Sequence, residues 1–336
     1  MTAVVFDRYG GPEVLRLTRS PLPRVGPSDV LVAVKATSVN PVDCKIREGV
    51  QRALVHVKLP AILGMDVAGV VTEVGSSVTR FRVGDEVFAS PNHRRMGTYA
   101  EFASVADAEL AIKPSNITYE QAASLPLVAL TAWDALIAWG KIESGERVLI
   151  QAGSGGVGSI AIQLAKARGA KVLATCSTRN VELVRGLGAD EVIDYTQEDW
   201  AERAKGVDLI VDALGPDEVE RAAGVVREGG RVISLSNGLP EATERHGAWL
   251  GTASALARVG RMAAGAWLRR RVRVIPMARR TSGENLRQIA ALVEEGRIRP
   301  LIDSVMPLEE IVSAHQRVEA GRCRGKVVLK PTTIDA

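Results

Sequence analysis

Arg147-Val-Leu-Ile-Gln-Ala-Gly-Ser-Gly-Gly-Val-Gly-Ser159 is the stretch that decides the fold. Residues 147–151 are mostly apolar and read as a short buried strand. Residues 159–168 read as a helix, with Ile160, Leu164 and Ala167 on one face. Between them stands Ala152-Gly-Ser-Gly-Gly-Val-Gly158. A glycine string by itself is weak evidence, but a strand before it and a helix behind it make it a phosphate-binding turn. Gly153 is expected to permit the tight turn leaving the strand. Gly155 and Gly156 are expected to let the backbone approach a pyrophosphate, and Gly158 to let the helix lie close on the sheet. Ser154 and Val157 complete the turn, whose unpaired N–H groups and positive helix end face the phosphates.

Outward from this turn the pattern repeats. Strand readings at 171–175, 191–195, 207–213 and 230–235 alternate with helical ones such as 181–186, which predicts a parallel sheet with helices on both faces. The second strand runs into Ala174-Thr-Cys-Ser-Thr-Arg-Asn180, with no acid. An NAD site usually places Asp or Glu there for the ribose hydroxyls. Ser177 and Arg179, with Asn180, suit a 2′-phosphate through charge-assisted hydrogen bonds, so the cofactor is expected to be NADPH. Tyr195, ending the third strand, is expected to close the same pocket or to sit on its rim.

The first 120 residues read instead as β-rich, with strands at 30–36 and 68–74 and a turn entering a strand at 82–88. Glycines and prolines at close spacing suggest a barrel-like or sandwich-like unit. Residues 120–140 read as a helical stretch interrupted by Pro126. After the alternating region come a strand at 272–277, helices at 284–295 and 308–319, and a strand at 326–329.

Composition narrows the function classes. The chain has 336 residues, enough for about two domains. Three cysteines, Cys44, Cys176 and Cys323, give no disulfide framework and suit a reducing compartment. The first nine residues show no secretory pattern, and the weakly polar stretch 249–267 carries Arg258 and Arg261, too short and too charged for a membrane span. The expectation is a cytoplasmic chain with no membrane partner and no nucleic-acid partner. Arg269, Arg270, Arg271 and Arg273 form the densest basic run, read either as a solvated rim or as a surface facing a phosphate-bearing substrate.

Further motifs extend over nearly the whole chain: Asn40-Pro-Val-Asp43, Gly64-Met-Asp-Val-Ala-Gly-Val-Val71, Val83-Gly-Asp-Glu-Val87, Gly97-Thr-Tyr-Ala-Glu101, Leu130-Thr-Ala-Trp133, Leu187-Gly-Ala-Asp190 and Arg324-Gly-Lys-Val-Val-Leu329. With the glycine turn, they resemble the medium-chain dehydrogenase/reductase superfamily in its zinc-independent quinone oxidoreductase (zeta-crystallin-like) branch. The resemblance implies an α/β chain: a discontinuous GroES-like, β-rich catalytic domain from residues 1–120 and 265–336, and a Rossmann doubly wound parallel-sheet domain from 121–264. It implies a nicotinamide bound between the two and a homodimer. It places Asn40 near the nicotinamide with Asp43 as its motif partner, in orientation, proton relay or a structural cap. It also places Thr131 at the nicotinamide side or in a helix interior, and Lys326 among the cofactor-binding residues.

Zinc-dependent relatives carry Cys where this chain has Asn40, and Gly-His-Glu where it has Gly64-Met65-Asp66. A catalytic zinc needs about three side-chain ligands; Asn40 and Met65 do not supply them, so no metal is expected. The expected reaction is hydride transfer from NADPH to a quinone or an α,β-unsaturated carbonyl. The alternatives are an enoyl-thioester reductase, an aldehyde or alcohol reductase, or a non-catalytic NADPH-binding protein of the crystallin-like or RNA-binding kind.

Overall fold

The computed structural model describes residues 1–52, 55–236 and 238–331. The chain divides into two compact units, Met1–Leu130 with Arg280–Ala336, and Thr131–Arg279.

The Thr131–Arg279 unit is built on a six-stranded sheet. Its order is Glu191–Asp194, Lys171–Cys176, Arg147–Ile150, Leu209–Asp212, Arg231–Ser234 and Arg273–Pro276. Every pairing is parallel. Numbered along the chain, these strands run 3-2-1-4-5-6, the order of a dinucleotide-binding Rossmann sheet. The central strands are buried on both faces and read as continuous apolar runs, as a sheet covered by helices requires. The covering helices include Gly156–Ala167, Val181–Gly186, Pro216–Val225 and Leu239–Arg270.

Two features depart from the sequence reading. The strand Arg273–Pro276 is the sixth strand of this sheet, so residues 265–279, expected with the β-rich unit, belong here. Residues 121–130, expected here, fall in the other unit. The long helix Leu239–Arg270, bent at Gly247 (φ 77°), had no counterpart in the sequence reading. Its alanines favour a helix, but Gly251, Gly260 and Gly265 and an outward-facing apolar side hide the usual amphipathic period.

The other unit carries a seven-stranded sheet organised by the strand Asp29–Val39. One end of that strand pairs with Phe102–Ala106, its length with Val67–Val74, and its far end with Lys326–Lys330. Gly69 makes the middle pairing possible: a Cβ there would lie 2.0 Å from the carbonyl oxygen of Ala33. A smaller sheet joins Thr2–Phe6 to Arg16–Arg19 and Ala61–Ile62. One helix inside this β-rich region, Pro41–Glu48, starts with proline at its first position. It follows directly on the Asp29–Val39 strand, which places Asn40 at the junction.

Candidate active site

The glycine turn is a strand–turn–helix, with the Gly156–Ala167 helix opening at the N-cap Gly155. The left-handed residue of the turn is Ala152 (φ 53°), not the expected Gly153. Gly153 is favoured by packing instead: a Cβ there would lie 3.1 Å from both Ala174 Cβ and Ile162 Cδ1, a tight fit. Gly158 plays the expected close-packing part in the sharpest form, since its Cβ would lie 2.2 Å from the carbonyl oxygen of Ala152. The turn is tied to the second strand by Gly153 N–H to Thr175 O (2.8 Å) and Ala152 N–H to Thr175 Oγ1 (3.2 Å). The first turn of the helix, Gly156 to Gly158, presents the N–H groups that no helix satisfies internally.

At the end of the second strand the structure brings three expected residues together. Asn180 Nδ2 donates to Ser154 Oγ at 2.9 Å and to Ser177 Oγ at 3.3 Å. Arg179 is exposed beside them. Tyr195 is largely exposed, and its N–H bonds Cys176 O at 3.2 Å, which puts it at the same strand ends. The sequence reading missed a residue here. Asp194 stands in register with Cys176 and accepts from the N–H and hydroxyl of Thr196 at 3.0 and 2.7 Å. Hydrogen bonds from Thr178 and Thr196 hold its carboxyl below the usual range. The acid absent from the second strand is thus supplied, in part, by the third.

The second polar cluster lies in the β-rich unit. Asn40 is fully buried. Its Nδ2 donates to Asp66 Oδ2 at 2.7 Å, and its Oδ1 accepts from the ammonium of Lys326. Those two partners fix which way the amide points and leave one N–H outside these bonds. Lys326 Nζ also donates to Val39 O at 2.9 Å and faces Asp66 Oδ2 at 3.4 Å. Lys326, expected among the cofactor-binding residues, takes part in this network. Asp66 accepts further bonds: Ser38 donates to Oδ2 at 2.8 Å and the Leu127 N–H to Oδ1 at 2.7 Å. Burial pulls the Lys326 ammonium down from its ordinary value, while Asp66 and Asp43 draw it back.

Asp43 caps the Pro41–Glu48 helix. Its Oδ2 accepts the Asn40 backbone N–H at 2.8 Å and the Tyr99 hydroxyl at 3.0 Å, and its Oδ1 has no partner among the described residues. Burial pushes this carboxyl up to about 6, against the opposing pull of the Asn40 N–H and Lys326. Burial raises the Tyr99 phenol well above its usual range, and Asp43 adds to that. Asp66, Tyr99 and Ser38 were not singled out from sequence; Asp66 and Tyr99 lay inside quoted motifs, but nothing local marks them as neighbours of Asn40. Thr131 sits on the helix Pro126–Trp133, one turn after Leu127, whose N–H bonds Asp66. It is not joined to Asn40 or Asp43 by any of the bonds just named.

Asn40 and Met65, both buried, offer no zinc ligand set with Asp66, whose oxygens are taken by four donors. Among the described residues one group of three side chains has metal-ligand spacing: Cys44, His315 and Glu319. A guanidinium already occupies it. Arg47 Nη1 lies 3.1 Å from His315 Nδ1, and Nη2 donates to Glu319 at 2.6 Å. Burial pushes the Cys44 thiol up and holds His315 neutral, at about 3. A guanidinium fixed on His315 and Glu319 at this spot does not fit a zinc ion.

Residues 26–115 match the alcohol dehydrogenase GroES-like domain, and residues 187–329 match the zinc-binding dehydrogenase family. The chain is 40% identical, over 98% of its length and 89% of the relative's, to the mitochondrial NAD(P)H oxidoreductase RTN4IP1 of Mus musculus. It is 35% identical to the chloroplastic NADPH-dependent alkenal/one oxidoreductase of Arabidopsis thaliana, over 98% of this chain and 80% of that one. The Escherichia coli quinone oxidoreductase, solved in complex with NADPH, superposes with a TM-score of 0.82 at 29% identity, covering 98% of this chain and all (100%) of the other.

Proposed function

The chain belongs to the quinone oxidoreductase-like family of the medium-chain dehydrogenase/reductase superfamily, and from that premise we propose that it reduces a quinone or an α,β-unsaturated carbonyl with NADPH and without zinc. It is an oxidoreductase, and its cofactor is NADPH. The observation that carries the reading is the glycine turn on the first strand of a 3-2-1-4-5-6 sheet, with Ser154, Ser177 and Asn180 gathered at the end of the second.

The residues divide the work. The N–H groups of 156–158 and the helix end meet the pyrophosphate. Ser177 and Arg179 meet the 2′-phosphate, and Tyr195 flanks them. NADPH supplies the hydride. A donor is then needed for the charge that builds on the acceptor oxygen. In the β-rich unit Asn40 is the candidate, through the one N–H its network does not use. Lys326 on its Oδ1 polarises the amide and strengthens that N–H as a donor. Asp66 and Lys326 hold the amide in one orientation, and Asp43 with Tyr99 holds the backbone that carries it. The metal-free reading rests on the donor set: Asn40, Met65 and an Asp66 already bonded to four donors on one side, and the Arg47-filled cluster on the other.

The test is steady-state turnover with NADPH on a panel of quinones, enones, enoyl thioesters and aldehydes, before and after exhaustive chelation. Quinone or enone reduction should survive chelation. Aldehyde reduction abolished by chelation would sink the proposal. Asn40→Ala, checked for folding, should lower kcat by on the order of a hundredfold, as for loss of one oxyanion donor. Unchanged kcat per folded molecule would remove Asn40 from the reaction and leave it a structural residue.

A further inference from the structure

The long helix Leu239–Arg270 carries the four most exposed large hydrophobic side chains among the described residues: Trp249 at 91%, Leu268 at 78%, Leu250 at 72% and Leu256 at 64%. Trp267 adds 45%. Their spacing is regular. Trp249 and Trp267 are 18 residues apart, as are Leu250 and Leu268. Eighteen residues make about five turns, so each pair points the same way, over about 28 Å of helix. Between the pairs the same side presents Ala253, Ala257, Gly260 and Ala264, all exposed. The opposite side, with Ala255, Met262 and Ala266, packs inward, Met262 and Ala266 against the core of the sheet. The outward side is therefore a continuous apolar stripe, flat in the middle and bulky and aromatic at both ends.

The charge on the stripe's own segment has one sign. Six arginines fall between Gly247 and Arg273, at 258, 261, 269, 270, 271 and 273, with no Asp or Glu among them. Arg258 reaches Asp217 and Arg269 reaches Glu220 on the neighbouring helix, both as exposed pairs of the weak kind. Arg271 lies against the Trp267 ring, 5.4 Å from its centroid. A second copy of the chain is the wrong occupant. Antiparallel self-pairing that matches Trp249 with Leu268 centres between residues 258 and 259, and gathers Arg258 and Arg261 of both copies near one axis. Like charges there oppose the contact.

We propose that this helix is a surface-binding element, which lays its Trp/Leu stripe into the headgroup region of an anionic lipid bilayer with its arginines on the lipid phosphates. Aromatic ends on an apolar face, flanked by arginine, are the makings of an interfacial helix, and clustered basic side chains add attraction to anionic lipid. The helix does not span: no helix among the described residues is long and apolar enough to cross a membrane. Lying on a surface asks only for one apolar face, and in this the proposal departs from the sequence expectation of no membrane partner. The inference is independent of the reaction proposed above. It gives the enzyme access to lipid-dissolved substrates whatever their class.

The experiment uses the full chain with vesicles of phosphatidylglycerol and phosphatidylcholine, against phosphatidylcholine alone. Cosedimentation should favour the anionic vesicles by at least about tenfold and weaken with salt, and tryptophan emission should shift to the blue. Trp249→Ala with Trp267→Ala should lose most of the binding and the shift while keeping the circular dichroism spectrum and melting temperature, since both side chains are exposed. Arg261→Glu should weaken binding to the anionic vesicles alone. Absence of anionic-vesicle binding, or binding indifferent to the double tryptophan variant, overturns the proposal. A dimer that the double variant converts to monomer, with no lipid binding, assigns the stripe to a second copy and overturns it equally.

Discussion

The glycine turn and the Asn40 network are both polar clusters at strand–helix junctions, yet they are assembled in opposite ways. The turn is seven consecutive residues, and its geometry is set by its own backbone: Ala152 in the left-handed region, and Gly158 with no room for a Cβ. The network takes Ser38, Asn40, Asp43, Asp66, Tyr99 and Lys326 from four separate stretches of the chain, and its geometry is set by pairing between strands and by buried charge. The first fails when the chain is crowded; the second fails when one charge is removed. Each failure has a distinct signature.

The largest effect belongs to the network. Asp66→Asn leaves the buried Lys326 ammonium without its nearest carboxylate and should cost about 3–5 kcal/mol of stability, the range for breaking one side of a buried pair. Denaturant unfolding measures it. Asp66→Asn with Lys326→Met should recover part of the loss, because the orphan charge is then gone. Equal loss in single and double variants would show that the charge is not what holds the network, and the contrast with the turn would fail.

The turn should behave in reverse. Gly156→Val places a side chain where the phosphates approach and should weaken NADPH binding at least a hundredfold, about 2.7 kcal/mol, with a native-like circular dichroism spectrum. Isothermal titration reads the first and thermal melting the second. Normal NADPH binding by a folded variant would mean that the pyrophosphate lies elsewhere.

These two outcomes also mark where sequence was legible. The turn, the strand alternation and the absence of an acid in 174–180 are local patterns, and the parallel sheet followed from them. The network was not legible, because nothing near Asn40 in the chain says that Asp66 and Lys326 fold onto it. Lys326 was expected at the cofactor from its motif, and its bonds to Asn40 and Val39 became visible only in the fold. The Arg273–Pro276 strand was misplaced for the same kind of reason: its apolar run fits either sheet, and only its pairing with Arg231–Ser234 decides. Asp194 was overlooked because parallel register, not chain proximity, brings it to Cys176.

Within the network, Asp43 gives a pH signature. Its carboxyl is raised to about 6 by burial, above its unfolded value, so the folded chain holds the proton more tightly. Its contribution to stability is whole below about pH 4 and is lost as pH rises through about 6, on the order of 3 kcal/mol. The groups facing it are the Asn40 N–H, the Tyr99 hydroxyl, Lys326, Asp66 and Cys44. Asp43→Asn should therefore flatten the fall in stability between pH 4 and pH 7, read by melting at each pH. A fall as steep as in the unsubstituted chain would show that Asp43 does not titrate there.

The smallest effect returns to the turn and concerns which dinucleotide it prefers. Ser177 and Arg179 follow the second strand with no acid between Ala174 and Asn180, and a 2′-phosphate at that point gains a cation and hydroxyl donors. Against this stands Asp194 on the adjacent strand, half-buried and held in its charged form by Thr178 and Thr196. It repels a phosphate and suits ribose hydroxyls. The cation and the carboxylate therefore pull in opposite directions, and the net preference for NADPH over NADH should be modest, about tenfold or 1.4 kcal/mol. Fluorescence titration of both cofactors measures it. Arg179→Ala should bring the two affinities close together by weakening NADPH alone. Asp194→Asn should widen the gap in favour of NADPH, because only repulsion is removed. Equal affinities in the unsubstituted chain, or a gap indifferent to Arg179, would place the 2′-phosphate away from these residues.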